Sequence, residues 1–280
     1  MEKLILGGEY FNVKDTLFCG QIFRFFPAAC RSGGYFVNSA DKRCLVYNDG
    51  KNAVVECEDA DKAYFENFFD TVRDYGAIVS AAKLHGEVLL KAATLGKGIR
   101  ILNQDKTETL FSFIVSQNNN IPRIKGIIEK LCRGAGEKRE FYGEEYYAFP
   151  TVRALKEKPL DFYREIGLGY RAEYIKRLAD GFDGIFNEKE FDALDTPALK
   201  KRLVGIYGVG AKVADCVSLF GFHRADSFPV DTWIEKVYRE NFNGTLKDRN
   251  KIADYFVKEF GENAGYFQQY LFYYKRSLEN

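Results

Sequence analysis

Histidine is almost missing from this chain: among 280 residues only His85 and His223 occur. It is the side chain that titrates near neutrality and the commonest metal ligand, so its scarcity argues against histidine acid–base or metal-centred catalysis. Cysteine is present but unpatterned. Cys19, Cys30, Cys44, Cys57, Cys132 and Cys216 include no CxxC pair, which excludes the usual zinc and iron–sulfur spacings. They stand in apolar sequence, as reduced buried thiols do. No run of about 18 uncharged apolar residues exists, so no membrane-spanning helix is expected. The start, Met1-Glu2-Lys3, lacks a basic region followed by a long apolar run, so no signal peptide is expected and a cytoplasmic location in a prokaryote is. Charge of one sign is missing too. Lys and Arg number 41 against 40 Asp and Glu, a net of +1. That balance gives no support to a nucleic-acid partner, although charge beside a phosphate acts within a Debye length of about 8 Å.

Apolar and aromatic residues are plentiful. Hydrophobic residues make up 46%, with 25 Phe and 18 Tyr, enough for a sizeable core dominated by rings. The length suits one large domain or two ordinary ones. Tyr35-Phe36-Val37, Cys44-Leu45-Val46-Tyr47 and Ala53-Val54-Val55-Glu56-Cys57 are short β-rich runs separated by turn residues, which predicts a meander. From about Asp61 the period turns helical, and everything after about residue 100 reads as helix. Asp105-Lys106-Thr107-Glu108 has the form of a capping box. Asn118-Asn119-Asn120-Ile121-Pro122 ends that helix, and Ile124, Ile127, Ile128 and Leu131 make the apolar stripe of the next. Thr196-Pro197 predicts another helix start, with Thr196 as the cap.

The most informative segment is Leu203-Val204-Gly205-Ile206-Tyr207-Gly208-Val209-Gly210-Ala211-Lys212-Val213-Ala214-Asp215-Cys216. A helix ends at Gly205, Gly208 and Gly210 permit a tight turn, and a second helix begins near Ala211. Its first amides lack internal partners, point outward and suit a phosphate oxygen. Such a grip needs little basic charge. Lys212 stands in the first turn, where the helix field disfavours a second positive charge and so favours a neutral, nucleophilic amine. Taken alone, the same glycines fit an ordinary helix–helix turn with a solvated lysine. Pro229-Val230-Asp231 follows after one helix and one loop. Asp231 reads equally as a helix cap or as a rigidly held catalytic carboxylate.

The stretch from Val204 to Asp231 resembles the helix-hairpin-helix, Gly/Pro-Asp superfamily of DNA glycosylases. Gly208 to Cys216 together with Pro229-Val230-Asp231 is similar to its 8-oxoguanine DNA glycosylase branch. So are Ser116-Gln117-Asn118-Asn119-Asn120-Ile121-Pro122-Arg123-Ile124, Gly167-Leu168-Gly169-Tyr170-Arg171-Ala172, Gly20-Gln21-Ile22-Phe23-Arg24, and Ala264 to Phe272. These motifs occur in the family's order over nearly the whole chain. The resemblance implies an α+β fold. An N-terminal antiparallel sheet domain with flanking helices would occupy residues 1–100. A helical region would occupy 101–280, with the helix-hairpin-helix at about 197–220.

The resemblance also implies a bifunctional reaction on double-stranded DNA carrying 8-oxoguanine opposite cytosine. A base inside the stack is unreachable, so the lesion is flipped out. Lys212 would attack C1′, form a Schiff base and nick the strand by β-elimination, while Asp231 would stabilise positive charge on the sugar. The carbonyl of Gly20 would accept the N7 proton that distinguishes 8-oxoguanine from guanine. Gln268 would read the Watson–Crick edge, and Cys216 and Phe272 would cover the purine faces, although core packing also accounts for these two. Asn118, Arg123, Tyr170 and Arg171 would handle the orphaned cytosine, with Tyr170 as a wedge and the arginines facing its acceptors. A plain turn also accounts for Asn118 to Asn120. Gly208 and Gly210 would bring the hairpin to the phosphates, and the carbonyls of Val204, Ile206 and Val209 would coordinate K+ or Na+. No catalytic cofactor and no iron–sulfur cluster are expected. A monomer associated with the nucleoid is. Trp233 departs from the family, whose eukaryotic members usually carry histidine there. His85 and His223 match no family role. Two other readings stand beside this one: the same machinery directed at an alkylated base, and a non-catalytic DNA-binding module.

Overall fold

The computed structural model describes residues 1–279. Its N-terminal half is built on strands β1 (Glu2–Gly7), β2 (Phe25–Pro27), β3 (Tyr35–Ser39), β4 (Lys42–Asp49) and β5 (Asn52–Cys57). They form one antiparallel sheet in the order β1-β5-β4-β3-β2. The β3–β4 turn places Ala40 at φ 51° and the β4–β5 turn places Gly50 at φ 58°. The expected meander is therefore present, extended at both edges by β1 and β2.

Both faces of this sheet are covered, which explains why its strands read as nearly continuous apolar runs. Cys44, Val46, Val55 and Cys57 pack with Phe65, Phe68 and Phe69 on one side. Leu45, Tyr47 and Val54 pack with Phe141 and Tyr146 on the other. The second cover is a feature that helical periodicity after residue 100 did not reveal. Strands β6 (Lys138–Phe141) and β7 (Glu144–Tyr147) pair as an antiparallel hairpin. Its turn uses Tyr142 and Gly143 at φ 57° and 73°, the left-handed pair that a two-residue hairpin requires.

The remaining elements are helices. In the first half they are α1 (Val13–Phe18), α2 (Lys62–Phe68), α3 (Tyr75–Ala81) and α4 (Glu87–Leu95). Next come α5 (Lys106–Ser116), α6 (Ile121–Ala135), α7 (Val152–Glu157), α8 (Leu160–Glu165), α9 (Arg171–Ile185) and α10 (Glu188–Asp192). The last are α11 (Thr196–Val204), α12 (Ala211–Phe220), α13 (Thr232–Asn241), α14 (Arg249–Phe260) and α15 (Ala264–Glu279). Ile124, Ile127, Ile128 and Leu131 all enter the large helical core. That core also takes Tyr75, Ile78, Leu89 and Ala92 from α3 and α4, so these two helices pack with the helical region although they precede residue 100.

Two local expectations change. Asp105 caps α5 by accepting the Glu108 amide at 2.7 Å, but Glu108 does not return the bond. Its carboxylate instead accepts Arg24 Nη1 at 3.0 Å and the Ala40 amide at 2.7 Å. A fully buried guanidinium needs an anion more than a half-buried helix end needs a second cap. The cap of α11 is Asp195, which accepts the Ala198 amide. Thr196 is already helical and donates to Asp226 at 2.7 Å.

Arg24 also donates to the Tyr147 carbonyl and to Ala40 O at 3.3 Å. One side chain therefore ties the sheet, the β6–β7 hairpin and α5 together. Arg24→Met strips the buried Glu108 carboxyl, whose pKa burial already pushes up to about 7, of its cation, and breaking a buried pair typically costs about 3–5 kcal/mol. Urea denaturation should show a loss of that size, and an R24M/E108L double variant should recover much of it.

Candidate active site

Helices α11 and α12 meet through the turn from Gly205 to Gly210, and the turn requires glycine at 208. Gly208 has φ 88°, and a Cβ there would sit 2.5 Å from the Tyr174 ring. Gly210 caps α12 without a side-chain bond, so the helix's leading amides remain available to an anion. Lys212, the second residue of α12, is exposed, with Nζ 5.8 Å from the centre of the Phe113 ring.

Asp231 is both a cap and a lining group. Its Oδ1 accepts the amides of Trp233 at 3.0 Å and Ile234 at 2.9 Å, which fixes the carboxylate at the head of α13. Burial pushes its pKa above the usual carboxylate range, while those amides and the charge on Lys212 pull it back. The two side chains border one cavity of about 60 Å³, also lined by Cys19, Gly20, Phe113, Cys216, Phe220, Pro229, Gln268, Gln269 and Phe272. All six residues expected to attack or hold a base are in that lining.

The chemistry of the lining is specific. Gly20 has φ 91°, and its carbonyl accepts no hydrogen bond among the described residues. Gln268 is buried and donates Nε2 to the Pro229 carbonyl at 3.1 Å. Its buried Oε1 has no partner among the described residues, so a residue that lines the cavity carries an unsatisfied acceptor. Burial pushes the Cys216 thiol up to about 11, so it acts as a neutral packing surface rather than a rival nucleophile. The cavity is too small for a purine, since ligand sites usually span roughly 300 Å³ or more. Phe272 closes it: its ring edge lies 3.4 Å from where a Cβ on Gly20 would stand.

The second group of motif residues surrounds the turn after α5. Asn118 is exposed with φ 45°, and Tyr170 is 52% exposed. Arg123 is exposed and donates Nη2 to the Gly167 carbonyl at 3.2 Å. Arg171 behaves differently from the expected free reader. It is 3% exposed. It donates Nε to Gln117 O at 2.8 Å, Nη2 to Asn118 O at 2.9 Å and Nη1 to Leu168 O at 3.3 Å. Gln117 then reaches Gly208 O with Nε2 at 2.8 Å. Arg171, the Asn118 turn and the hairpin are thus one hydrogen-bonded assembly. Among the described residues the carbonyls of Val204 and Val209 accept no bond in the turn, while Ile206 O accepts the Val209 amide at 2.9 Å.

This arrangement matches known proteins. A model described as the 8-oxoguanine DNA glycosylase N-terminal domain matches residues 3–110, and one described as HhH-GPD superfamily base excision DNA repair protein matches residues 111–261. The apo structure of the 8-oxoguanine glycosylase/lyase of Clostridium acetobutylicum superposes with a TM-score of 0.91 at 37% identity, covering 98% of this chain and 96% of that one. The chain belongs to the 8-oxoguanine DNA glycosylase branch of the HhH-GPD superfamily. The clostridial protein bound to double-stranded DNA with cytosine opposite 8-oxoguanine is as close, with a TM-score of 0.91 over 97% of this chain and 94% of that one. A probable N-glycosylase/DNA lyase of Methanothermobacter thermautotrophicus is 32% identical over 200 residues, 64% of either chain. The chain therefore spans just under two thirds of that curated relative.

Sequence reasoning about this HhH-GPD member overlooked several site residues. Phe113, Phe220 and Pro229 wall the cavity, but Phe113 read as helix core, Phe220 carried no signal and Pro229 stood in its motif without a role. Gln117 and Gln269 stood inside quoted motifs without a role. Gln269 donates to the Cys19 carbonyl at 2.7 Å, binding the C-terminal helix to the loop that presents Gly20. Trp233 contributes its amide to Asp231, and Lys236 stands 5.0 Å over its ring. His223 lies 3.2 Å from Asp70 and His85 3.5 Å from Glu259. Neither histidine lines the catalytic cavity. A larger open groove of about 1000 Å³ borders His223, Arg73 and Arg224 and shares no lining residue with the smaller cavity.

The double role of Asp231 is separable. Asn caps nearly as well as Asp, whereas Ala loses the cap at about 1 kcal/mol. Thermal unfolding should therefore leave Asp231→Asn close to the parent protein and Asp231→Ala clearly below it.

Proposed function

We propose that this chain is a bifunctional DNA repair enzyme that excises 8-oxoguanine opposite cytosine from double-stranded DNA and then nicks the strand. The observation that carries the reading is the single cavity holding Lys212, Asp231, Gly20, Cys216, Gln268 and Phe272. It is completed within one chain, which supports action as a monomer. The proposed setting is the prokaryotic nucleoid. No described helix is long and apolar enough to cross a membrane.

In this reading the flipped base enters as Phe272 moves off Gly20, and Phe272 and Cys216 cover its faces. The N7–H of 8-oxoguanine donates to the open Gly20 carbonyl. Guanine sets a lone pair against the same oxygen, and an unpaired buried acceptor costs about 1–3 kcal/mol. Gln268 Oε1 accepts an N–H from the Watson–Crick edge. The Lys212 amine, once it has given up its proton, forms a bond to C1′ as the glycosidic bond breaks, and the electron pair leaves with the base. Asp231 stabilises the positive charge that develops on the sugar, from a site where that interaction is weakly screened. The adduct opens to a Schiff base, and loss of a proton from C2′ expels the 3′ phosphate.

Arg123, with donors to spare, faces the acceptor edge of the orphaned cytosine. Arg171 braces the Asn118 turn through carbonyls, which it must exchange to reach the base itself. Tyr170 fills the vacated stack. The amides leading α12 hold a phosphate, and the carbonyls of Val204, Ile206 and Val209 would hold K+ or Na+ beside it, adding positive charge to the grip. The open Val204 and Val209 carbonyls support that cation site.

Two rivals make different predictions. An alkylated purine gains nothing from the Gly20 carbonyl, and a non-catalytic module has no use for an accessible Lys212 beside a half-buried carboxylate. Single-turnover excision should favour 8-oxoguanine opposite cytosine over the same lesion opposite adenine and over 7-methylguanine. Arg123→Ala should lower the cytosine preference by about tenfold, the worth of one such hydrogen bond. Faster release of the alkylated purine would defeat the substrate assignment.

A further inference from the structure

Gln268, Phe272 and Arg276 are spaced four apart on α15 and so share one face of that helix. The first two line the base cavity, and Arg276 continues their line to its rim. Its guanidinium carbon lies 5.7 Å from the centre of the Phe272 ring. Its Nη1 is 3.7 Å from where a Cβ on Gly20 would stand, beside the Phe272 edge at 3.4 Å. Nη1 is buried from solvent and has no hydrogen-bond partner among the described residues. Neighbouring Lys275 pairs with Glu240 at 2.7 Å and Glu279 at 3.1 Å, whereas Arg276 enters no ion pair among the described residues. A charged donor is therefore held without an acceptor at the glycine whose carbonyl receives the lesion. Leaving such a group unpaired is unfavourable, so its acceptor is expected to arrive with the ligand.

Resting on the 8-oxoguanine reading above, we propose that Arg276 is a specificity-determining residue whose Nη1–H donates to the C8 carbonyl oxygen of the flipped base. The geometry follows from the ring. N7 and C8 are bonded neighbours, so when N7–H meets Gly20 O, the C8 oxygen lies on the same edge, beside Nη1. Guanine carries C–H at that position and offers no acceptor. The contact is a second discriminator, chemically independent of the N7 proton. It also strengthens as the base departs, because the electron pair released from the glycosidic bond is shared with the C8 oxygen. A charge-assisted bond that grows in the transition state raises the rate, not only the affinity.

The test compares two substrates of the intact protein. Excision of 8-oxoguanine opposite cytosine needs the base contact, while nicking at a preformed abasic site opposite cytosine uses Lys212 with no base present. Arg276→Met should lower single-turnover excision by about tenfold or more and leave abasic-site nicking within about twofold. Arg276→Lys, which keeps a positive donor, should retain more excision than Arg276→Met. An 8-thioguanine lesion keeps the N7 proton but offers sulfur, a weak acceptor. The parent protein should prefer the oxygen lesion over the sulfur one, and Arg276→Met should erase that preference. Equal loss of excision and nicking, or unchanged excision, overturns the assignment. Parent protein that nicks the abasic duplex but leaves 8-oxoguanine in place overturns the substrate reading, and the Arg276 role falls with it.

Discussion

The joint between Gln269 and the carbonyl of Cys19, at 2.7 Å, holds the site together. The pocket has no single parent element. Gly20 comes from the sheet domain, Lys212 and Cys216 from the helix after the hairpin, Asp231 from the head of α13, and Gln268 and Phe272 from α15. Only where α15 docks against the loop after α1 do these pieces enclose a common volume. Tyr273 reinforces the docking by donating to Asp15 at 2.8 Å. The amide of Gln269 and the carbonyl of Cys19 are buried and mutually satisfied, so separating them leaves two unpaired polar groups. That penalty keeps Gly20 in register with the cavity residues opposite it.

The near-neutral charge of the chain is consistent with this design. A phosphate grip made of helix-leading amides needs geometry rather than excess lysine. The same economy appears at Asp231, where the bonds that cap α13 also hold the carboxylate beside the cavity. It appears again at Gln117, whose side chain holds the hairpin at Gly208 while its carbonyl anchors Arg171. The hairpin and the Asn118–Arg171 segment are mechanically one unit, so the positions of the leading amides of α12 and of Tyr170 are set together.

Periodic, local features were legible in the sequence. The meander over Tyr35 to Cys57, the stripe from Ile124 to Leu131 and the helix pair around Gly208 depend on neighbours a few residues away. The β6–β7 hairpin was not, because Lys138 to Glu145 is mostly charged and its reason for being a strand pair is the distant face of Phe36, Leu45 and Tyr47. Glu108 fitted a capping box on spacing alone, and only the buried Arg24 reveals why it turns inward. Within the site, the residues clustered in motifs were legible. Phe113 and Phe220 were not, because a ring that walls a pocket has the same sequence pattern as a ring in the core. Arg171 was identified as a contact residue, but its tether to three carbonyls is a property of the folded turn.

The central claim is that Lys212 attacks the sugar from the mouth of this cavity. Borohydride reduction during reaction with an 8-oxoguanine:cytosine duplex, followed by peptide mapping of the trapped complex, tests it directly. The account predicts a covalent protein–DNA adduct on the peptide that contains Lys212, and its loss in Lys212→Gln with the fold intact. A parent protein that excises the base without trapping, or an adduct mapped to another residue, would contradict it.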